Sequence, residues 1–295
     1  MATPILALIP SGYKAEKVYS VLPSNGTGDF TFNRNNGKAT KVNKDGLVEE
    51  VVDDTPRLDY LSGTCPNLLL ESEKTNSFTY SESATGKSLT GITLTDNQSS
   101  SPSGSLNAML FKEDTGTSKH RFSTNSVVVI SASTYTISLF VKKNSDSRFV
   151  FINAGALLNA SGSFNLDTQA VTGNVQVFDN YGNGWYRIGI TAMATGTSSN
   201  NIFIQMQLGT TDASYTGDES SMFVWGLQFE AGTLSSYIPT DSATKTRFAE
   251  TCTVTTPDDV TTITETYADD TTNVITTIPT TYSVSIKEIK KIIMI

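Results

Sequence analysis

The chain is poor in charge. Asp, Glu, Lys and Arg make up 17% of its 295 residues, and it holds one histidine and two cysteines. The lone histidine, His120 in SKHRFST, excludes a histidine-rich metal centre and gives a Ser-His-Asp triad no support. Its polar surroundings predict a solvated surface residue. Cys65 and Cys252 lie far apart and outside any CxxC, so no disulfide framework follows. Two separate thiols are expected of assembly in a reducing compartment, and a bridge across the fold is the alternative.

Positive charge is also scarce. A net charge of −8 argues against a nucleic-acid partner, which needs a basic stripe along the phosphates. Lys287, Lys290 and Lys291 form the one tight basic cluster and read as a solvated strand face. No run reaches the roughly 20 apolar residues of a membrane helix. The opening MATPILALIPSGYKAEK lacks a basic start and contains two prolines, so a cleaved secretory leader is not expected. G-x-S-x-G, P-loop and G-x-G-x-x-G motifs are missing, and with them the common catalytic and nucleotide signatures.

What fills the chain is Thr, Ser, Asn and Gly around segments of period two. Tyr135, Ile137, Leu139 and Val141 alternate with Thr136, Ser138, Phe140 and Lys142; Tyr186, Ile188 and Ile190 with Trp185, Arg187 and Gly189. Ile202, Ile204, Met206 and Leu208 alternate with Phe203, Gln205 and Gln207, and Phe223, Trp225, Leu227 and Phe229 with Val224, Gly226, Gln228 and Glu230. This is the pattern of strands with one face in a core. Turn clusters at 142–147, 159–163, 179–184, 195–201 and 210–220 separate them, which predicts an all-β jelly-roll sandwich. Trp225, on the face of Phe223, Leu227 and Phe229, is expected in the core.

Three segments follow. Residues 1–76 read as an N-terminal β-hairpin and attachment segment, with turns at Asn35-Asn36-Gly37 and Lys44-Asp45-Gly46. Residues 77–250 form the sandwich. Residues 251–295 are a Thr-rich tail with a hairpin around ADDTT; it is too small for its own core and is expected to dock or oligomerise.

Several stretches, taken in order, resemble a family of bacteriophage and prophage virion-appendage proteins: GYKAEKVYSVLPSNGTGDFTFNR, VNKDGLVEEV, PRLDY, CPNLLLESEKTN, SPSGSLNA, YTISLFVKK, NYGNGWYRIGIT, FVWGLQFEAGTLSSYIPT and ATKTRFAET. They span roughly residues 5 to 250. The tryptophan that the family usually carries soon after its "TN" segment is absent from 77–89. The resemblance implies a jelly-roll module similar to carbohydrate-binding sandwiches, mounted on a phage head or tail as a fibre or decoration subunit. By analogy it implies a homotrimer, other virion proteins as partners and assembly in the host bacterial cytoplasm.

Three candidate sites come from the residues. The strand faces opposite the core combine Phe140, Trp185, Arg187, Phe203, Gln205, Gln207, Gln228 and Glu230. Rings beside amides and charges suit a sugar, though the same face suits burial in a protein interface. Asp212, Asp218 and Glu219 in TDASYTGDES offer oxygen ligands for Ca²⁺, without EF-hand spacing. Glu71 and Glu230 are the pair a glycosidase would need. The competing reading makes them ion-pair partners of Arg57 and Arg247, in a non-enzymatic protein. A polysaccharide depolymerase and a purely structural cement protein are the alternatives to a glycan-binding appendage.

Overall fold

The computed structural model describes residues 3–35, 37–145 and 148–295, and is all-β apart from one helical turn, Gly155–Leu158. The chain forms two compact units: residues 75–245, and residues 1–74 together with 246–295.

Residues 75–245 are a sandwich. Its strands are β1 (Ser88–Thr90), β2 (Ile92–Ser100), β3 (Leu106–Glu113), β4 (His120–Ser123), β5 (Thr134–Lys143), β6 (Phe149–Asn153), β7 (Ser161–Asn165), β8 (Val171–Gly173), β9 (Val175–Asn180), β10 (Trp185–Met193), β11 (Phe203–Gln207) and β12 (Ser221–Ala231). They form two six-stranded antiparallel sheets, the first in the order β2-β3-β12-β5-β10-β9 and the second β1-β4-β11-β6-β7-β8. Without the outermost strands the order is β3-β12-β5-β10 against β4-β11-β6-β7, so successive strands cross between sheets in the manner of a jelly roll. Phe111, Phe122, Ile137, Leu139, Val150, Ile188, Ile204, Met206 and Phe229 fill the space between the sheets, where each strand buries its alternate apolar residues.

One strand departs from strict alternation. In the β5–β12 ladder Ser138 opposes Gln228 but Phe140 opposes Trp225, a bulge at Gly226 with φ +61°. A bulge adds one residue and reverses the facing of everything beyond it. Met222, Val224, Leu227 and Phe229 therefore enter the core, and Trp225 leaves it. The expectation of a core-facing Trp225 is corrected.

The other unit joins the two chain ends. Glu288–Met294 pairs with Ile263–Tyr267, with Asn67–Leu69 and with Leu6–Leu8 in one six-stranded sheet. The tail is thus no separate segment: Ile289, Ile292 and Met294 are core beside Leu6, Leu8, Leu58 and Leu68. The ADDTT hairpin forms between Ile263–Tyr267 and Thr272–Ile275. Ala39–Val42 and Val48–Val51 make the hairpin expected at Lys44-Asp45-Gly46, where the Asn43 carboxamide caps the turn. Phe30–Asn33, by contrast, pairs with Thr251–Thr255 and Lys17–Val18 rather than with the next strand. The expected turns at 35–37 and 142–147 include Asn36, Asp146 and Ser147, which lie outside the described residues. Cys65 is exposed, Cys252 is buried, and both are free thiols.

Candidate functional site

The sandwich divides the eight expected sugar-facing residues between its two sheets. Phe140, Trp185, Arg187, Gln228 and Glu230 lie on the first sheet, facing away from the core, and all are buried. The cover is the segment that follows β12. Tyr237 packs at a tilt against Trp225 and meets Phe140 edge-on, at centroid distances of 4.6 and 5.9 Å. Arg187 Nη1 donates to Ser235 O (2.8 Å), and Ile238 N donates to Gln228 Oε1 (2.8 Å).

Glu230 is held without an arginine. Ser235 N and Oγ donate to its two oxygens at 3.0 and 2.6 Å, and Gln228 Nε2 donates at 2.8 Å. The expected Glu230 ion pair is corrected to a serine–amide clasp. Asn76 completes it: Nδ2 donates to Leu227 O and Ile238 O, while Oδ1 accepts from Phe78 N and Phe229 N. A buried amide with every group satisfied pins both the bulged strand and the returning chain. This face is closed to a ligand, and its residues hold the scaffold.

Glu71 is equally committed. Its carboxylate takes Arg57 at 2.8 Å and Arg247 at 3.2 Å, as the ion-pair reading expects. Sequence reading missed the centre of that network. The buried Glu250 takes Arg34 at 3.0 Å and Arg57 through Nε at 2.8 Å, and it accepts Glu71 N at 3.0 Å. Burial lowers the Arg57 pKa, but Glu250 and Glu71 outweigh it and hold the guanidinium charged. Neither glutamate of the suspected catalytic pair offers an uncommitted carboxylate.

The expected calcium ligands do not converge. Asp212 pairs with Lys119 (2.8 Å), Asp218 with Arg148 (2.6 Å) and Glu219 with Lys112 (3.3 Å). Among the described residues no cluster of three potential metal ligands forms. Arg148 also pairs with the buried Glu113 at 2.8 Å, which Tyr215 caps with its hydroxyl at 2.6 Å. His120 is not solvated: its ring is buried against Tyr215 at 4.4 Å, and Nε2 lies 3.3 Å from Asp114 Oδ1, outside hydrogen-bond geometry.

The second sheet is different. Phe203, Gln205 and Gln207 project outward from β11 while Ile204 and Met206 fill the core. One cross-strand row on this outer face runs Thr90, Arg121, Gln205, Phe151, Ser163, Thr172. Neighbours in such a row stand about 5 Å apart at Cβ. Gln205 is 0% exposed, yet neither atom of its amide has a hydrogen-bond partner; Ser163 Oγ and Arg121 Nε have none either. Buried amides are ordinarily satisfied, and each orphaned group costs about 1–3 kcal/mol.

A loop bridges the strands on either side of β11. Asp212 Oδ2 accepts from Lys119 Nζ (2.8 Å) and Asn153 Nδ2 (3.1 Å), and the Gln207 amide faces Thr211 O and Ala213 O, to which its nitrogen donates once turned toward them. Lys119 precedes β4 and Asn153 ends β6; β11, with Gln205, runs between those strands. At the rim the Arg121 guanidinium lies over the half-buried Phe203 ring, 3.9 Å from its centroid. Arg121, Phe151 and Ser163 escaped the sequence reading. In SKHRFST the alternation of His120 and Phe122 with Arg121 and Ser123 is a strand signal, masked by the polarity of the segment.

No family model matches the sequence, and no curated protein matches it. Among the solved structures with slight similarity are two. The CBM22-1–GH10 modules of Clostridium thermocellum endo-1,4-β-D-xylanase 10B, complexed with xylohexaose, match at 15% identity and a TM-score of 0.31 over 57% of this chain and 30% of that one. A putative sugar-binding protein from Bacteroides thetaiotaomicron matches at 8% identity and a TM-score of 0.25, over 54% of this chain and 87% of the other.

Proposed function

We propose that the protein is a non-enzymatic, carbohydrate-binding subunit of a bacteriophage head or tail appendage, and that it contacts saccharide with the outer face of its second sheet. The observation that carries the binding role is the buried Gln205 amide with no partner on either atom. Sugar hydroxyls both donate and accept, as such an amide requires. Phe203 and Phe151 supply apolar surface beside it for the faces of sugar rings. The virion role is supported by the ordered motifs of the sequence, GWYR and SYIPT among them.

The test is a glycan array with the purified chain, repeated with Phe203→Ala and Gln205→Ala. Binding that either substitution abolishes, with the fold retained by circular dichroism, supports the reading. Silence across the array, together with particles that fall apart when the gene is deleted, would establish a cement protein instead. Immunogold labelling of intact phage locates the subunit on head or tail, and its absence from the particle would end the virion role.

A further inference from the structure

We infer that the saccharide taken by this face is acidic, and that its carboxylate or sulfate displaces Asp212 and is received by Arg121 and Lys119. The inference rests on the carbohydrate-binding reading above and adds the chemical class of the ligand.

Arg121 is the first observation. Arg34, Arg57, Arg148 and Arg247 each pair with a carboxylate, and the buried Arg187 donates to Ser235 O and Ser138 Oγ. Arg121 alone makes no ion pair or hydrogen bond among the described residues, and its Nε is buried and unsatisfied. The contact with Phe203 occupies one side of the guanidinium, and its N–H groups suit a planar acid. In a protein of net charge −8, an arginine kept away from carboxylates calls for a reason.

Asp212 is the second. Lys119 and Asn153, a cation and an amide donor from either side of β11, converge on one of its oxygens at 2.8 and 3.1 Å. The face therefore already holds a carboxylate, supplied by its own loop. That ion pair is solvent-accessible on both sides, so an exchange of one acid for another costs little. Leaving, Asp212 frees Lys119 and Asn153 on the two sides of β11, and the orphaned Gln205 amide between them then bonds the hydroxyls of the incoming sugar.

The experiment titrates the purified full chain with tetragalacturonate, a sulfated heparin tetrasaccharide and neutral cellotetraose, and screens an array holding acidic and neutral glycans. Acidic ligands are expected to bind more tightly and to weaken as salt rises. Arg121→Gln should cost them about tenfold to a hundredfold, a markedly larger loss than neutral ligands show. Arg121→Lys should recover part of the loss. Asp212→Asn, on the exposed loop, should tighten acidic binding about two- to fivefold. A preference for uronate or for sulfate identifies the acid, and either supports the inference. Neutral glycans bound as tightly as acidic ones, or a preference untouched by Arg121→Gln, overturns it while leaving carbohydrate binding intact. Array silence with both the natural protein and Asp212→Asn removes both readings.

Discussion

Trp225 and Leu227 stand two residues apart on one strand and point to opposite sides of their sheet. Leu227 enters the core, while Trp225 packs outside it against Phe140, with ring centroids 5.1 Å apart. Gly226 makes this possible. The bulge turns a tryptophan that alternation assigns to the interior into the floor under Tyr237, and so closes the first sheet to ligands.

Gly226→Ala should therefore destabilise the sandwich. The residue occupies φ +61°, where a side chain is strained, and an added Cβ would meet Phe140 Cδ2 at 2.8 Å. A loss of about 1–3 kcal/mol is expected from the backbone alone, read as a lower urea midpoint. An unchanged midpoint would mean that the bulge is not what seats Trp225.

The jelly roll was legible because its strands bury alternate residues, and β5, β10 and β11 keep that alternation throughout. The bulge was not, since a glycine in a strand pattern marks equally a bulge, a bend or a close contact. Pairing between distant segments was hidden too. Nothing local in SVSIKEIKKIIMI says that it lies between Ile263–Tyr267 and strands from the chain's beginning. For the site, composition brought out the aromatic and amide residues but could not say which face the chain later covers. Ser235 and Tyr237 closed one; the other, bridged at Asp212, keeps buried groups unsatisfied.

Glu250→Gln should be among the most damaging single changes. Arg34 and Arg57 are fully buried and share this carboxylate, with Glu71, which also pairs with Arg247, supplying further charge to Arg57. Removing one partner from a buried ion network costs about 3–5 kcal/mol, because the charge left behind is not resolvated. Chemical denaturation or the yield of soluble protein reads the effect. A loss below about 1 kcal/mol, the value of an exposed pair, would show the cluster to be solvated.

The two thiols should differ in reactivity. Cys65 is exposed, whereas burial, with the nearby Glu250, pushes the Cys252 thiol far up and disfavours its thiolate. A thiol reagent at neutral pH should modify Cys65 in the native protein and reach Cys252 only after denaturation, as peptide mass spectrometry would reveal. Native labelling of Cys252 would mean that its sheet opens readily.

Acid should weaken the unit formed by the chain ends through Glu265. Burial raises this carboxyl's pKa, but hydrogen bonds from Ser285 N (2.8 Å), Ser285 Oγ (2.6 Å), Tyr282 and Tyr267 outweigh it and hold the group below the ordinary carboxylate range. A depressed folded-state pKa means that the unfolded chain binds the proton more readily. The stabilisation is thus complete above the unfolded value, about 4.3 for glutamate, and drains away as the pH falls through the folded one. Glu265→Gln cannot ionise, so its deficit against the natural protein should be largest near neutral pH and shrink in acid. Urea midpoints of both proteins from neutrality to about pH 3 read that difference. A deficit that stays constant over the range would assign the stabilisation to the shape of the hydrogen-bond cluster and not to the charge at its centre.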